Sequence, residues 1–214
     1  MSRRTGKDGT TGGATPSAPA PRLSRAVPPP ALASPEDTNS DGDRDHALYR
    51  ISFVCTGNIC RSPMAEVITR SLAERTELSD GTDLGSHLEV RSAGTGPWHE
   101  GEPMHPLAAD ALVRAGYPRH PHVAHQFSRA DLGRLDFVVG LDRRHQQTLR
   151  GLGVDPGRLA LLRSFDPASG VGADVPDPYY GDEAVFDQCL RMIEASSAGL
   201  VASLAAHWDT LGVA

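Results

Sequence analysis

One ten-residue segment, Phe53-Val-Cys-Thr-Gly-Asn-Ile-Cys-Arg-Ser62, restricts the possible folds of this chain more than any other part of it. An apolar run from Tyr49 to Val54 predicts a buried strand that leads into Cys55. A helical pattern opens at Pro63, which suits the first turn of a helix because its missing N–H would be unpaired there. The segment therefore predicts a strand, a tight loop and a helix, with a thiol where the strand ends.

The loop between this strand and helix has the composition of an anion-binding site. Gly57 permits an unusual turn with close approach of a ligand, and Asn58 tolerates left-handed backbone. Free backbone N–H groups and the positive end of the helix dipole favour the thiolate form of Cys55. The same N–H groups, with the guanidinium of Arg61, can bind the oxygens of a phosphate dianion. A nucleophilic thiolate within a phosphate site predicts the chemistry of a cysteine phosphatase.

Other interpretations of the cysteines and histidines are less consistent with the pattern. Cys55 and Cys60 could be ordinary small residues buried after a strand. A metal site is disfavoured because the spacing is not C-x2-C and no His or Cys partners cluster nearby. The pair His120-Pro-His122 also suggests a metal only weakly. We expect no metal or cofactor, and we expect four histidines to be solvated or packing residues, namely His99, His105, His120 and His145.

The chain divides into a tail and a domain. Residues 1–47 are rich in Pro, Ser, Gly, Thr and Ala and lack periodic apolar positions, so we predict that they are disordered. Residues 48–214 form the predicted catalytic domain. Charges in the tail sum to about zero, so the net charge of −6 belongs to the domain. That balance argues against a nucleic-acid partner.

The sequence predicts a cytoplasmic monomer. No run of seven or more apolar residues follows the basic residues Arg3, Arg4 and Lys7, so no signal peptide is expected. No segment is expected to span a membrane. Three cysteines, an odd number that includes a reactive thiol, fit a reducing compartment better than a disulfide framework.

Short apolar runs alternate with helical patterns along the domain, as in parallel sheets that are covered on both faces. We predict an α/β fold with a four-stranded, doubly wound parallel sheet. The phosphate-binding loop would lie after the first strand, at the carboxyl edge of the sheet, where ligands bind in such folds. The predicted strands are 49–54, 88–91, 137–140 and 159–162, and the predicted helices are 63–75, 106–115, 128–134, 142–152 and 182–208.

A second segment, Asp174-Val-Pro-Asp-Pro-Tyr-Tyr-Gly181, supplies a candidate acid. Displacement of a phenolate from phosphorus is easier when a carboxylic acid protonates the leaving oxygen. Asp177 lies between two prolines in a stiff loop before the last helix, and Tyr179 and Tyr180 could form the walls of an aryl pocket. Asp174 is the competing acid, but it lacks aromatic neighbours. A plain turn with packed tyrosines is the alternative reading.

Together, C-T-G-N-I-C-R-S after a strand and D-P-Y-Y-G before a terminal helix resemble the low-molecular-weight protein tyrosine phosphatase family. The resemblance covers essentially the whole domain, from residue 49 to about 208. Three intermediate landmarks resemble it too, namely Ser92-Ala-Gly-Thr95 with Trp98, His122-Val-Ala124 and Leu141-Asp142. His125 departs from the family, in which many relatives have arginine after the H-x-A segment.

The resemblance implies a role for each matching residue. Cys55 would attack phosphorus and form a phosphocysteine, and Asp177 would protonate the leaving phenol and then deprotonate the attacking water. Arg61 would bind the phosphoryl oxygens, and Ser62 would donate a hydrogen bond to the thiolate. Asn58 would hold the loop in shape with help from His122. The remaining implied site residues are Thr56, Gly57, Ile59 and Cys60 in the phosphate-binding loop and Trp98, Tyr179 and Tyr180 around the substrate.

The other two cysteines have separate interpretations. The resemblance makes a reversible disulfide between Cys55 and Cys60 plausible, which would protect the nucleophile from irreversible oxidation. The alternative is that Cys60 is a small buried filler. Cys189 lies within the last predicted helix, and we expect it in the core.

Phosphotyrosine-containing proteins are the expected substrates, with small aryl phosphates, and three alternatives stay open. An arginine phosphatase of the same superfamily would carry threonine in place of Ile59 and lack the pair Tyr179 and Tyr180. A thioredoxin-coupled arsenate reductase would need a relay of cysteines that Cys189 alone does not provide. A non-catalytic phosphotyrosine-binding module would be expected to lack Cys55, Arg61 or Asp177, and all three are present.

Overall fold

The computed structural model describes residues 48–212, so the predicted disordered tail, residues 1–47, lies outside the described residues. Four parallel strands form one sheet in the order β2-β1-β3-β4, which confirms the predicted architecture. The central strand β1 pairs with both β2 and β3, so the chain leaves β1 at a point where the strand order reverses. The strands are β1 (Tyr49–Cys55), β2 (Leu88–Gly94), β3 (Phe137–Gly140) and β4 (Leu159–Leu161).

Four α-helices follow the predicted order, with small differences at their ends. They are α1 (Arg61–Ala73), α2 (Pro106–Arg114), α3 (Arg143–Leu152) and α4 (Glu183–Gly212). Helix α1 begins two residues before the predicted start, because Pro63 is accepted anywhere in a first turn whose N–H groups have no intrahelical acceptor. The predicted helix at 128–134 is a 3-10 segment, Arg129–Arg134, and Leu162 belongs to another, Leu162–Phe165, not to β4.

Alternation along the strands creates a core on each face of the sheet. Ile51, Phe53 and Val139 pack in the larger core, which contains side chains of α1, α2 and α4. Val54 and Val138 point to the opposite face, where they pack in a smaller core that includes Leu149 of α3. The apolar strands therefore have helices on both faces, as predicted.

Helix α4 corrects one expectation from the sequence. Its segment Glu183–Thr210 is long and apolar enough to cross a membrane by length and composition, although no such segment was predicted. In the structure, Phe186, Ile193, Leu200 and Leu204 of α4 are fully buried in the larger core, where the helix packs on α1 and α2. The apolar composition of α4 is explained by this burial within the domain.

Candidate active site

The loop between β1 and α1, here called the phosphate loop (residues 55–62), lies at the carboxyl edge of the sheet. Asn58 adopts a left-handed conformation, with φ of 58°, so the sequence-based expectation for this position is met. Gly94, at the end of β2, pairs with Cys55. A Cβ atom at Gly94 would lie 2.9 Å from the carbonyl oxygen of Thr56, so the loop passes too close to β2 for any side chain there.

The backbone N–H groups of residues 57–62 form a candidate anion site. Within the described residues, none of them donates a hydrogen bond to a protein acceptor. They belong to the loop and the first turn of α1, where the helix dipole also favours negative charge. An oxyanion placed in this loop would therefore meet several free donors.

Cys55 lies at the start of a chain of hydrogen bonds that crosses the loop. Its sulfur is 3.0 Å from the hydroxyl of Ser62, and that hydroxyl accepts a hydrogen bond from the side-chain amide of Asn58 at 2.9 Å. The same amide donates to Ser92 Oγ at 2.9 Å, and Ser92 donates to the buried carboxylate of Glu66 at 2.6 Å. The Ser62 hydroxyl also lies 3.2 Å from the carbonyl oxygen of Ala93, and its proton can turn from that oxygen to a thiolate on Cys55.

Asn58 also has contacts with the segment 122–125, which includes His122. His122 Nε2 lies 2.6 Å from the carbonyl oxygen of Asn58, and the main-chain N–H of His125 donates to Asn58 Oδ1 at 3.0 Å. Burial lowers the pKa of His122, so its ring is neutral near pH 7 and donates one N–H. Because the contact of His125 uses only its main chain, the departure from arginine at this position leaves the loop brace intact.

Arg61 is almost fully buried and binds three side chains. Nη1 donates to Asp142 Oδ2 at 3.0 Å and to the carbonyl oxygen of Val175 at 3.2 Å. Nη2 donates to Asp177 Oδ2 at 2.6 Å and to Thr56 Oγ1 at 3.0 Å. Its Nε is buried and has no protein acceptor among residues 48–212. The guanidinium is therefore fixed beside the loop, with Nε available for a phosphoryl oxygen.

The structure separates the two candidate acids. Asp177 is brought to the phosphate loop by its contact with Arg61, and its side chain is 47% exposed. Asp174 instead accepts hydrogen bonds from the main chain and the guanidinium of Arg143, at the N-terminus of α3. Val175 donates its N–H to Leu141, which ties the acid loop to the end of β3. The acid predicted from the sequence is the one that reaches the site.

Sequence reasoning missed two polar residues of the site, Asp142 and His145. The resemblance included Asp142 only as part of a turn, and His145 was expected to be a solvated or packing residue. His145 is buried, and its Nε2 lies 2.9 Å from Thr56 Oγ1. Burial, and next the charge of Arg61, lower its pKa to about 4. The available signal was the position of both residues just after a strand that neighbours β1.

The aromatic residues predicted around the substrate differ in their exposure. The ring centroid of Tyr179 lies 4.8 Å from that of Tyr180 and within 6 Å of those of His99 and His105. Tyr180 is 97% exposed and Trp98 is 67% exposed, so both rings are open to solvent. The two histidines, expected to be solvated or packing residues, are packed against Tyr179.

Two further residues of the phosphate loop, Ile59 and Cys60, are buried beneath it. Ile59 contributes to the larger core and accepts a hydrogen bond from the N–H of His105 on its carbonyl oxygen. Cys60 and Cys189 are free thiols in the same core, as expected for Cys189. Burial is the main cause of a raised pKa for both thiols, which keeps them protonated. Cys55 is also buried, and its sulfur contacts the hydroxyl of Ser62 at the end of the loop.

The suggested metal pair does not form a shared site. His120 contacts the guanidinium of Arg70, whereas His122 contacts Asn58, so the two rings serve different partners. Within residues 48–212, no group of three or more His, Cys, Asp or Glu side chains is arranged to hold a metal ion. The arrangement that the structure does form is a thiol, a set of anion donors and a nearby carboxylate. These groups can displace an alcohol or phenol from phosphorus.

Comparison with known proteins identifies the family to which the chain is similar. The family model for low molecular weight phosphotyrosine protein phosphatase matches residues 50–209. A low molecular weight protein-tyrosine-phosphatase of Streptomyces coelicolor is 48% identical over 160 residues, which are 73% of this chain and 93% of the relative.

Solved structures share the fold. The crystal structure of YfkJ from Bacillus subtilis has a TM-score of 0.65 and 34% identity, and the match covers 74% of this chain and 96% of that one. A structure of the YwlE arginine phosphatase, a mutant with a phosphorylated active-site serine, has a TM-score of 0.60 and 29% identity, with coverages of 72% and 95%.

Proposed function

Because the chain belongs to the low molecular weight phosphotyrosine protein phosphatase family, we propose that it hydrolyses protein phosphotyrosine and small aryl phosphates. The reaction proceeds through a phosphocysteine intermediate. One observation carries the proposal: Arg61 joins the phosphate loop to the acid loop, with Asp177 Oδ2 at 2.6 Å from its Nη2. This contact brings a carboxyl group to the mouth of an anion site that contains a thiol.

In the first step, the Cys55 thiolate attacks phosphorus, so an S–P bond forms as the P–O bond to the phenol breaks. The loop N–H groups and Arg61 bind the phosphoryl oxygens, whose charge is greatest in the transition state. Asp177 transfers its proton to the leaving phenolic oxygen, which departs as a neutral phenol. Substrate binding draws Arg61 towards the phosphoryl group, and this frees the carboxyl group of Asp177 for that transfer.

In the second step, water attacks the phosphocysteine. Asp177, now a carboxylate, accepts a proton from this water, the S–P bond breaks, and inorganic phosphate leaves. The hydroxyl of Ser62, 3.0 Å from the sulfur, donates to the thiolate as it departs. Asn58 and His122 keep the loop in the shape that both steps need.

A second candidate function is hydrolysis of protein phosphoarginine, which the similarity to the YwlE arginine phosphatase favours. Two features support the aryl substrate instead. The phosphate loop has Ile59 where an arginine phosphatase would have threonine, and Tyr179 presents its ring at the mouth beside Tyr180. A planar phenyl ring can pack on the tyrosine rings, whereas a guanidinium needs hydrogen-bond acceptors. Ile59 is buried, so it distinguishes the two functions only by its difference from threonine and not as part of this wall.

The test compares initial hydrolysis rates on matched phosphotyrosine and phosphoarginine peptides, with Cys55→Ser as the blank. Faster hydrolysis of the phosphotyrosine peptide is expected. Faster hydrolysis of phosphoarginine would keep the nucleophile and overturn the specificity. If neither peptide is hydrolysed, the chain is a phosphate-binding module, which a binding measurement with the phosphotyrosine peptide would then confirm.

The setting of this activity is also part of the proposal. We propose that the enzyme works in the cytoplasm, because a reducing compartment keeps a thiolate nucleophile free. We also propose that it is a monomer. The free thiols of Cys55 and Cys60, two residues of one loop, support redox control by a reversible disulfide. Oxidant would convert Cys55 to a sulfenic acid, and attack by Cys60 sulfur would release water and form the S–S bond.

A further inference from the structure

Thr56 follows the proposed nucleophile Cys55 and carries a hydroxyl group. This hydroxyl is at the exposed mouth of the phosphate loop and has two neighbours. His145 Nε2 lies 2.9 Å away, and Arg61 Nη2 donates to it from 3.0 Å. The direction of the hydrogen bond to His145 decides whether Thr56 donates its proton to the histidine or keeps it for the site.

The contacts of the other ring nitrogen settle that direction. The main-chain N–H of Asp142 donates to His145 Nδ1 at 3.2 Å, so Nδ1 is an acceptor and carries no proton. Asp142 Oδ1 is 3.1 Å from Nδ1 but forms no hydrogen bond with the ring, and it accepts the main-chain N–H of His145 at 2.8 Å. A neutral ring with an unprotonated Nδ1 has its proton on Nε2. His145 therefore donates to Thr56.

The threonine is left with a proton and no protein acceptor. Both of its lone pairs receive hydrogen bonds, one from His145 and one from Arg61, so its O–H must donate elsewhere. Among the described residues, no acceptor for this proton is present besides His145, whose Nε2 is already a donor. The O–H therefore points into the mouth. Arg61 Nη2 binds Thr56 and Asp177 together, so the hydroxyl and the catalytic carboxyl group flank the same space.

We propose that Thr56 donates a hydrogen bond to the leaving phenolic oxygen, and that His145 is the positioning residue that fixes the hydroxyl as a donor. The leaving oxygen gains negative charge as the P–O bond breaks, and Asp177 protonates it from the same side of the site. A second donor stabilises the part of that charge that proton transfer has not yet neutralised. This inference rests on the proposed phosphatase activity.

The experiment measures kcat/KM for p-nitrophenyl phosphate, a good leaving group, and phenyl phosphate, a poor one. Thr56→Val has the shape of threonine without its hydroxyl, and we expect it to lower kcat/KM about tenfold for phenyl phosphate. The decrease in kcat/KM for p-nitrophenyl phosphate should be smaller. Less negative charge collects on its leaving oxygen, which therefore gains less from a hydrogen-bond donor. Thr56→Ser, which retains an O–H, should restore the ratio between the two substrates.

The second pair of variants tests His145. His145→Leu removes the donor to Thr56 and should reproduce the leaving-group effect while Thr56 is intact. His145→Gln places an amide N–H near the position of Nε2 and should restore the ratio. Melting temperatures of all variants distinguish loss of folding from loss of the hydrogen bond. Because Thr56 is exposed, its two variants should disturb folding less than those of buried His145.

Each outcome decides between the inference and the function beneath it. Equal losses on both substrates, or no loss with Thr56→Val, would overturn the role of the hydroxyl while leaving the phosphatase activity standing. A leaving-group effect in the Thr56 variants but not in the His145 variants would refute the positioning role of His145. If the unaltered protein hydrolyses neither aryl phosphate, the proposed function fails, and this inference fails with it.

Discussion

Asp177 and Arg61, 116 positions apart in the sequence, form an ion pair with 2.6 Å between Oδ2 and Nη2. The arginine is buried and the carboxylate is about half exposed, so the pair lies where the core of the domain opens to solvent. The contact joins the loop that binds phosphate to the loop that carries the acid. In the proposed mechanism, substrate phosphate would compete with Asp177 for Arg61 and so link substrate binding to release of the acid.

The first prediction concerns this acid. Asp177→Asn should lower kcat about 10²- to 10³-fold for poor leaving groups, because an amide can accept from Arg61 but cannot donate a proton to phenolate. The fall of kcat/KM towards high pH should flatten, since no carboxylic acid remains to ionise. Both effects can be checked by measuring rates for phenyl phosphate and a phosphotyrosine peptide from about pH 5 to about pH 9.

Asp174→Asn is the matched control for that variant. Asp174 pairs with Arg143 at the surface, away from Arg61, so its loss should leave the pH profile close to that of the unaltered enzyme. If Asp174→Asn changes the profile and Asp177→Asn does not, the roles of the two residues are exchanged.

The second prediction concerns the choice of thiol. Iodoacetate should alkylate Cys55 first, because burial raises the pKa of Cys60 and Cys189 and keeps both as thiols. Inorganic phosphate should slow the labelling by occupying the loop. Cys55→Ser should reduce hydrolysis at least about 10⁴-fold, whereas Cys189→Ala should retain it. Mass spectrometry of the labelled peptides identifies the site, and labelling of Cys189 ahead of Cys55 would contradict the assignment.

The third prediction concerns the close approach of β2 to the phosphate loop. Gly94→Ala should destabilise the protein by about 1–3 kcal/mol and lower kcat/KM, because the new Cβ meets backbone atoms of the loop within 3.2 Å. Gly151→Ala, in α3, is the control, since a Cβ there meets nothing within 4 Å. That change should stabilise the helix slightly. Urea unfolding and initial rates test both variants, and equal behaviour would show that the loop can move away from β2.

The fourth prediction is a pH dependence of stability. Burial lowers the pKa of His145 to about 4, below the value near 6.5 of an unfolded histidine. Between these values the unfolded chain binds more protons than the native one, so the free energy of unfolding falls as pH drops from 7 towards 4. His145 contributes up to about 3 kcal/mol to that fall.

His145→Gln should remove this contribution and flatten the curve. Urea unfolding at several pH values, compared between the two proteins, isolates it from the carboxylates and from His122, which both proteins share. Parallel curves for the two proteins would mean that His145 does not titrate between its unfolded and native pKa values.

The fifth prediction concerns oxidation. Peroxide should inactivate the enzyme reversibly through a Cys55–Cys60 disulfide, and Cys60→Ser should make the loss irreversible. Because burial raises the pKa of Cys60, formation of the disulfide should accelerate with increasing pH. Activity regained after addition of a dithiol measures the protected fraction. Equal recovery of both proteins would exclude a protective disulfide.

The sequence alone predicted the sheet, which the structure confirms, and the residues proposed as nucleophile and acid. Apolar runs such as Tyr49–Cys55 and Phe137–Gly140 have the length of buried strands and are separated by helical patterns, which favours a parallel sheet. Cys55 and Arg61 are close in the chain, so local spacing at a strand-to-helix turn reveals their joint chemistry. Asp177 was found because two prolines and two tyrosines mark its loop.

Tertiary structure decided which distant groups support that chemistry. Asp142 and His145 belong to a helix start whose sequence resembles any exposed polar turn, and only the pairing of β3 with β1 brings them to Thr56 and Arg61. Packing against α1 and α2 likewise places the long apolar segment of α4 in the core. Periodicity and spacing record contacts between neighbours along the chain, whereas burial and the direction of a hydrogen bond depend on atoms brought together by folding.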